Sequence, residues 1–173
     1  MESVDALFDI VKTLRGPDGC SWDRKQTPQT MVKCLEEEVY ELEEAVIKND
    51  LDNICEELGD ALFQIVFITR IFQEKQLFDF KDVVACVAAK MIRRHPHVYG
   101  AARVSNHEEL MEQWNAIKAE EKGPSAGKST SVLDDLPTGL PAMARALKVS
   151  KSAVKEGFEW DSIEDVLETL KSE

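Results

Sequence analysis

Two acidic segments hold the residues best suited to chemistry. Residues 36–44 read Glu-Glu-Glu-Val-Tyr-Glu-Leu-Glu-Glu, and residues 56–60 read Glu-Glu-Leu-Gly-Asp. Each segment contains a pair of carboxylates three residues apart, and residues at that spacing are neighbours on the surface of an α-helix. The pairs are Glu38 with Glu41 and Glu57 with Asp60. If both segments are helical and pack together, four carboxylates can converge where the helices meet.

Four carboxylates in a partly buried site require a cation, because each negative charge disfavours ionisation of its neighbours. Oxygen ligands without His or Cys suit Mg²⁺, with Mn²⁺ as a possible substitute, better than zinc. Mg²⁺ keeps open or water-filled coordination positions, which polyphosphate oxygens can occupy. The pattern is therefore compatible with a metal site that binds a polyphosphate.

The acidic segments can also be solvated helix faces, and spacing alone leaves this alternative open. We assign Glu36, Glu43 and Glu44 to such a face, with Glu44 placed to pair with Lys48 four residues later. Gly59 adds weak support for a site, because a glycine inside a helix costs about 1 kcal/mol and usually has a packing reason. It can allow a neighbouring helix to approach closely.

Helix signals repeat along the chain, whereas strand signals are scarce, so we predict an all-α fold. Ser3, Thr27 and Asp79 have the side chains expected at helix N-caps, and Pro28 suits a first helical position. Residues 15–27 and 95–100 are predicted to be loops because glycine and proline interrupt the helical pattern there. The predicted helices cover about residues 4–14, 28–48, 51–76, 80–94, a segment beginning at Ser105 or Asn106, 141–156 and 162–172.

The second and third helices are joined by two residues, Asn49 and Asp50, so they must lie antiparallel. On a helical wheel each carries an apolar stripe, and the carboxylate pairs fall at the same side of both stripes. The stripe of the second helix contains Leu35, Val39, Leu42 and Val46, and that of the third contains Ile54, Leu58, Ala61 and Ile65. Packing of the two stripes predicts the seam at which the carboxylates meet.

The third helix is apolar almost all round in its second half. A helix with this pattern is buried on every side, and a small bundle has too few helices to cover it. We therefore predict a four-helix-bundle-like core that forms a homodimer or a higher homo-oligomer through the bundle. The apolar residues are Phe63, Ile65, Val66, Phe67, Ile68, Ile71 and Phe72.

Composition excludes several function classes. The net charge of −12 argues against nucleic-acid binding, which requires an excess of Lys and Arg. No apolar run approaches the ~18–20 residues of a membrane span, and the acidic N-terminus lacks the basic region of a signal peptide. Four widely spaced cysteines without a Cys-x-x-Cys motif are read as reduced packing residues. We expect a cytoplasmic protein without membrane or nucleic-acid partners.

The chain is expected to have three parts. Residues 1–122 contain the helical bundle with its candidate site, and residues 139–173 form a C-terminal helical tail. Between them, residues 123–138 include a small, polar stretch that is typical of a flexible linker.

Several motifs together resemble the MazG-type pyrophosphohydrolases. The two acidic segments match the family signature Glu-Glu-x-x-Glu followed by Glu-x-x-Asp. The resemblance covers nearly the whole chain, and Ser21 replaces the usual proline in its N-terminal loop. The other matching stretches, in order, are Gly19-Cys20-Ser21-Trp22-Asp23, residues 93–100 (Arg-Arg-His-Pro-His-Val-Tyr-Gly), residues 114–122, Leu140-Pro141-Ala142-Met143 and Gly157-Phe158-Glu159-Trp160.

The resemblance implies a metal site and an activity. Members of the family hydrolyse nucleoside triphosphates to the monophosphate and pyrophosphate with Mg²⁺. Carried over by position, Glu38, Glu41, Glu57 and Asp60 are the metal ligands. Glu37 is the remaining signature carboxylate and is assigned, with Glu38 and Glu41, to the catalytic group, either supporting a ligand or orienting the water.

The resemblance also implies substrate-binding residues. Lys90 and Arg94, four residues apart on the fourth predicted helix, correspond to a phosphate-binding basic pair. Trp114 and Lys118, also four residues apart, correspond to further contacts with the nucleoside triphosphate.

Two other functions stay open. One is a narrow dUTP or dCTP pyrophosphatase on the same helical scaffold. The other is a catalytically silent, nucleotide- and metal-binding dimerisation domain, because larger members of the family carry two such domains in tandem and this chain resembles only the N-terminal one.

Overall fold

The structure, a computed structural model, describes residues 4–122, 136–158 and 162–172. These residues divide into two compact units, Met1–Arg103 and Val104–Glu173. Ser3, Trp160 and most of the predicted linker lie outside the described residues. The helices are α1 (Val4–Leu14), α2 (Pro28–Lys48), α3 (Leu51–Glu74), α4 (Phe80–Arg94), α5 (Pro96–Tyr99), α6 (His107–Lys122), α7 (Ala142–Lys155) and α8 (Ile163–Ser172). The described residues contain no strand, which confirms the all-α prediction.

Helix starts in the first unit follow the predicted capping residues. Thr27 accepts a hydrogen bond from the backbone N–H of Thr30, whose side chain in turn accepts one from the N–H of Thr27. Asp79 and Asp82 form the same reciprocal arrangement at the start of α4. Such pairs satisfy N–H groups that have no partner inside the helix. These side chains therefore fix where α2 and α4 begin.

The connection between α2 and α3 is as short as predicted. Asn49 adopts a left-handed conformation with φ of 55°, which asparagine tolerates better than most residues. Asp50 then caps α3 by accepting a hydrogen bond from the N–H of Asn53. This connection folds α3 back along α2, and the two helices pack against each other.

The prediction that residues 95–100 form a loop is wrong, because they contain the one-turn helix α5. Pro96 does end α4, as predicted, since His95 leaves the helical conformation with φ of −122° and ψ of 53°. Proline is nevertheless favourable in a first helical turn, where its missing N–H costs nothing. The same residue therefore ends one helix and begins the next.

The hydrophobic core lies where α1, the beginning of α2 and the second half of α3 meet. Phe67 is fully buried at its centre, and Phe8 of α1 packs against Phe80 of α4 with 4.9 Å between ring centroids. The core thus supports one end of the α2–α3 pair and leaves the other end for the carboxylates. The buried core residues are Val11, Met31, Val66, Phe67 and Ile71.

Arg15 attaches the connection between α1 and α2 to α3. Its Nε and Nη2 atoms donate to the carboxylate of Glu74 at 3.0 and 2.7 Å, and Nη1 donates to the carbonyl oxygen of Asp23 at 2.8 Å. The guanidinium also lies 5.3 Å from the ring centroid of Phe67. Paired and stacked contacts of this kind favour arginine over lysine. The Arg15 side chain therefore links residues 23–26 of this connection to α3.

The apolar stripes predicted for α2 and α3 are wrong in their orientation. Four of their eight residues are exposed: Val39 by 48%, Val46 by 56%, Leu58 by 54% and Ile65 by 39%. The two helices instead face each other through Met31 and Ala45 on α2 and through Glu57 and Gln64 on α3, all of which are buried. Polar residues occupy part of this seam. The most apolar side of each helix on a helical wheel is therefore not the side that packs against the other helix. Val39 and Val46 lie two helical turns apart on α2, as do Leu58 and Ile65 on α3, so each helix exposes large apolar side chains to solvent.

Gly59 does not admit a neighbouring helix within this chain. A Cβ atom built at Gly59 would have no non-local heavy atom within 4 Å among the described residues. The interpretation that it allows close helix approach is therefore wrong for the packing inside one chain.

The second unit is helical, as predicted. Asn106 accepts a hydrogen bond from the N–H of Glu109 at the start of α6, and Ser162 accepts one from the N–H of Asp165 at the start of α8. Gly157 follows α7 with φ of 85°, a conformation that favours glycine. Across the described part of the chain, no helix is both long enough and apolar enough to cross a membrane.

Candidate metal centre

Three carboxylates meet between α2 and α3. Glu38 and Glu41 extend from α2 and Glu57 from α3, and each offers a carboxylate oxygen that lies within 4.8 Å of those of the other two. Glu57 is buried with 6% of its surface exposed, whereas Glu38 is half-buried and Glu41 is exposed. The cluster therefore reaches from the helix seam to solvent, so a ligand can enter from the side of Glu41.

The electrostatics of the cluster favour a cation. Burial raises the pKa of Glu57 above its usual value, and the nearby negative charges raise the pKa further. These charges belong to Glu41, Glu38, Asp60 and Glu56, in decreasing order of effect. A divalent cation would offset both the desolvation and the repulsion. The donors are all hard oxygen atoms, which fits Mg²⁺ or Mn²⁺.

Gln64 joins the site, although the sequence did not single it out. It lies two helical turns after Glu57 on the seam face of α3, with 8% of its surface exposed. Its Nε2 atom donates a hydrogen bond to Oε1 of Glu38 at 3.3 Å. Sequence reasoning could have found it by asking which polar residue follows Glu57 at the seven-residue spacing of a packed helix face.

The remaining predicted acidic residues lie around the cluster. Asp60 is exposed and is not one of the three converging carboxylates, although its charge contributes to the raised pKa of Glu57. Glu37 is exposed beside Glu38 on α2. Glu44 pairs with Lys48 as expected for a solvated face, and the hydrogen bond from Lys48 holds the pKa of Glu44 below its usual value.

The basic pair lies on α4. Lys90 and Arg94 are both half-buried and one helical turn apart. Lys90 is at the edge of an open, largely apolar cleft of about 470 Å³. Its other lining residues are Phe78, Asp82, Val83, Cys86 and Val87. Lys90 is the one basic residue and Asp82 the one acidic residue among these lining residues, so the cleft has charges of both signs beside its apolar walls.

The other two predicted substrate contacts lie on α6 of the second unit. Trp114 is half-buried and Lys118 is exposed. They are separated by one helical turn, which places both on one side of α6.

Comparison with known proteins gives a consistent assignment. Residues 26–99 match the family described as the MazG nucleotide pyrophosphohydrolase domain. This span includes the three-carboxylate cluster, Asp60, Lys90 and Arg94. The chain is 40% identical over 174 aligned residues to the nucleoside triphosphate pyrophosphohydrolase of Escherichia coli K12, which covers all of this chain and 65% of that protein.

Two proteins of Thermotoga maritima are also similar. The nucleoside triphosphate pyrophosphohydrolase/pyrophosphatase MazG is 39% identical over 98% of this chain and 64% of its own length. The crystal structure of a mazG-related protein matches with a TM-score of 0.57 and 30% identity. The matched region covers 66% of this chain and 98% of the chain in that crystal structure. This chain thus spans about 65% of the length of the two curated relatives.

Proposed function

The chain belongs to the MazG nucleotide pyrophosphohydrolase family, and we propose that it hydrolyses nucleoside triphosphates to nucleoside monophosphate and pyrophosphate with Mg²⁺ as cofactor. The observation that carries this proposal is the convergence of Glu38, Glu41 and Glu57 within 4.8 Å. Three carboxylates at that distance, one of them buried, suit a divalent cation and repel one another without it. The similarity to proteins named as nucleoside triphosphate pyrophosphohydrolases supports the substrate class.

The three converging carboxylates would hold the metal, and Asp60 would supply a further oxygen from the exposed side of α3. When bound, Mg²⁺ supplies positive charge and Lewis acidity toward the phosphate oxygens. Mn²⁺ has the same preference for oxygen ligands and is expected to substitute. The exposed side of Glu41 leaves room for the triphosphate to approach.

The protein's own residues would divide the remaining work. A water molecule attacks the α-phosphorus, the bond from that phosphorus to the bridging oxygen of the β-phosphate breaks, and pyrophosphate leaves. A carboxylate beside the cluster must orient this water and accept its proton. We assign this role to Glu37, which is exposed next to Glu38 on α2.

Cationic side chains would offset charge on the leaving pyrophosphate. We propose Lys90 and Arg94 for this role, supported by their one-turn spacing and by the apolar cleft beside Lys90. Trp114 and Lys118 are proposed as further substrate contacts on the strength of their match to the family's motif.

We also propose that two or more copies of the chain associate. The α2–α3 pair exposes several large apolar residues, and such residues mark protein–protein contact where they lie together. These residues include Val46, Ile47, Leu51 and Leu58.

Product identification tests the proposal. The chain is incubated with a panel of ribo- and deoxyribonucleoside triphosphates, with and without Mg²⁺, and the products are separated by anion-exchange chromatography. Monophosphate and pyrophosphate in equal amounts, formed only with the metal, would support the proposal and would rank the substrates. Diphosphate with inorganic phosphate would contradict it, because cleavage would then be at the γ-phosphorus.

One observation favours a second candidate function. The curated relatives are longer than this chain, so a nucleotide- and metal-binding domain without turnover is the alternative. Folded protein that binds both nucleotide and Mg²⁺ but releases no product would support this alternative.

A further inference from the structure

We propose that Gln64 is a positioning residue of the metal site, which holds the carboxylate of Glu38 by a hydrogen bond and leaves its second oxygen for the cation. The inference rests on the metal site of the proposed function. Gln64 orients a metal ligand and does not contact the substrate.

The contact crosses the helix seam. Gln64 belongs to α3 and Glu38 to α2, and Nε2 of the first lies 3.3 Å from Oε1 of the second. Gln64 is 8% exposed, so surrounding atoms restrict the side chain to few rotamers. A restricted donor is suited to fixing the orientation of a half-buried carboxylate.

The chemistry of the two groups fixes which end of the amide faces Glu38. An ionised carboxylate only accepts hydrogen bonds, whereas an amide has one donating and one accepting end. The reversed amide would place two oxygens against each other. Nε2 must therefore face Glu38 whenever Glu38 is ionised, as a metal ligand must be.

The other end of the amide gives an independent indication. Oε1 of Gln64 is buried and has no hydrogen-bond partner among the described residues. A buried acceptor without a partner destabilises a fold, and an apolar side chain of similar shape avoids that cost. The unpartnered Oε1 is therefore a cost to stability that an apolar residue would avoid, and the hydrogen bond to Glu38 offsets that cost and accounts for a glutamine at this position.

Groups that orient metal ligands typically change metal affinity or activity by about 10–100-fold when they are removed. Loss of the Gln64 donor would allow Glu38 to rotate away from Glu41 and Glu57. We therefore expect the loss of this donor to weaken metal binding at least 10-fold. Replacement of the amide by an apolar side chain of similar volume should leave the thermal stability of the metal-free protein unchanged or increased.

The test measures Mn²⁺ affinity by electron paramagnetic resonance, without nucleotide, together with the thermal midpoint of the metal-free chain. Gln64→Met removes the donor and retains most of the side-chain volume. Thr69→Val is the matched control, because Thr69 is also a buried polar residue of α3, with 4% exposure, but its hydroxyl donates to the carbonyl of Ile65 within the same helix. Gln64→Asn is a second variant, which keeps the amide but is one methylene too short to reach Glu38.

The expected result is Mn²⁺ affinity at least 10-fold below that of the unmodified chain for both Gln64 variants and unchanged affinity for Thr69→Val. Mn²⁺ affinity within twofold of the unmodified chain in a folded Gln64 variant would overturn the inference and leave the metal site standing. Failure of both Gln64 variants to fold would also overturn it, because the role would then be structural. An unmodified chain that binds no Mn²⁺ would overturn the proposed metal site, and this inference with it.

Discussion

Glu38 of α2 and Glu57 of α3 place carboxylate oxygens within 4.8 Å of each other across the helix seam. Glu57 is buried, so this pair brings like charges together where water screens them weakly. A hydrophobic pair at the same positions would stabilise the metal-free helices more. This pair of carboxylates therefore fits a role in binding a cation, because it does not stabilise the metal-free fold.

Glu57→Gln is expected to separate stability from metal binding. The substitution keeps the side-chain shape and removes the buried negative charge, so the metal-free protein should be at least as thermally stable as the unmodified chain. With Mg²⁺ at 100 times its dissociation constant, the unmodified chain should gain about 2.7 kcal/mol, and the variant should gain little. Differential scanning calorimetry with and without Mg²⁺ measures both effects.

Glu43→Gln is the control for that experiment, because Glu43 is an exposed carboxylate of α2 outside the cluster. It should retain the full Mg²⁺-induced shift. Equal Mg²⁺-induced shifts in the Glu57 and Glu43 variants would show that the metal binds elsewhere.

The Arg15–Glu74 pair should make stability depend on pH. The hydrogen bonds from Arg15 lower the pKa of Glu74 below its usual value of 4.5, against the opposing effect of its partial burial. The unfolded chain then binds the proton more readily, so the stabilisation is present above about that value and is lost as the pH falls through the lower pKa of the folded state. Glu74→Gln should cost about 1 kcal/mol at pH 7, because solvent screens the partly exposed pair, and progressively less below pH 4.5.

Urea unfolding of the unmodified chain and of Glu74→Gln between pH 3 and pH 7 tests this dependence. Glu44→Gln provides the comparison, because the Glu44–Lys48 pair is exposed on both sides and exposed pairs contribute little. If the difference in the free energy of unfolding between the unmodified chain and Glu74→Gln stayed constant down to pH 3, the Arg15–Glu74 pair would not be the source of the pH dependence.

The sequence predicted the helices better than their packing. Capping at Thr27 and Asp79 depends on neighbouring residues alone, so local pattern was sufficient. Val39 and Leu58 were predicted to be buried but are exposed. Their burial depends on which sides of α2 and α3 face each other, and the helical wheel placed the wrong sides in contact because polar residues occupy part of the seam. The seven-residue spacing from Glu57 places Gln64 on the same side of α3, but that spacing does not reveal its partner, Glu38, which lies on another helix.

The carboxylate cluster was also predicted well where local spacing decides and poorly where packing between helices decides. Their i, i+3 spacing placed Glu38 and Glu41 on one side of α2, and the resemblance to a family identified them as metal ligands. Spacing could not show that Glu57 is buried while Asp60 is exposed, since that difference arises from how α3 packs against α2.

Gly59→Ala should stabilise the protein. A Cβ at this position would meet no non-local atom within 4 Å among the described residues, and alanine restricts the unfolded chain more than glycine does. The free energy of unfolding should rise by roughly 0.5–1 kcal/mol. Gly157→Ala is the contrasting variant, because Gly157 also has open space but has φ of 85°, and it should lower stability.

Chemical denaturation of both glycine variants measures the contrast. Destabilisation by Gly59→Ala at all protein concentrations would contradict the prediction, because it would mean that other atoms pack against Gly59. The packing of a single chain shows no such atoms among the described residues.

The exposed apolar face of α2 and α3 should mediate self-association. Ile47 is 78% exposed near the end of α2, and a charge at this position would be costly inside an apolar interface. Ile47→Glu should therefore shift the chain toward monomer in sedimentation velocity. Leu77→Glu, at a similarly exposed leucine between α3 and α4, should leave the mass unchanged, and a monomeric unmodified chain would refute the expectation.

The most direct test of the central claim is pyrophosphate release by the unmodified chain, Glu38→Gln, Glu57→Gln and Glu43→Gln, each with and without Mg²⁺. We expect Mg²⁺-dependent release by the unmodified chain and by Glu43→Gln, and a decrease of at least 100-fold in kcat/KM for Glu38→Gln and Glu57→Gln. Full activity of a folded Glu38 or Glu57 variant would show that the three-carboxylate cluster is not the site of hydrolysis.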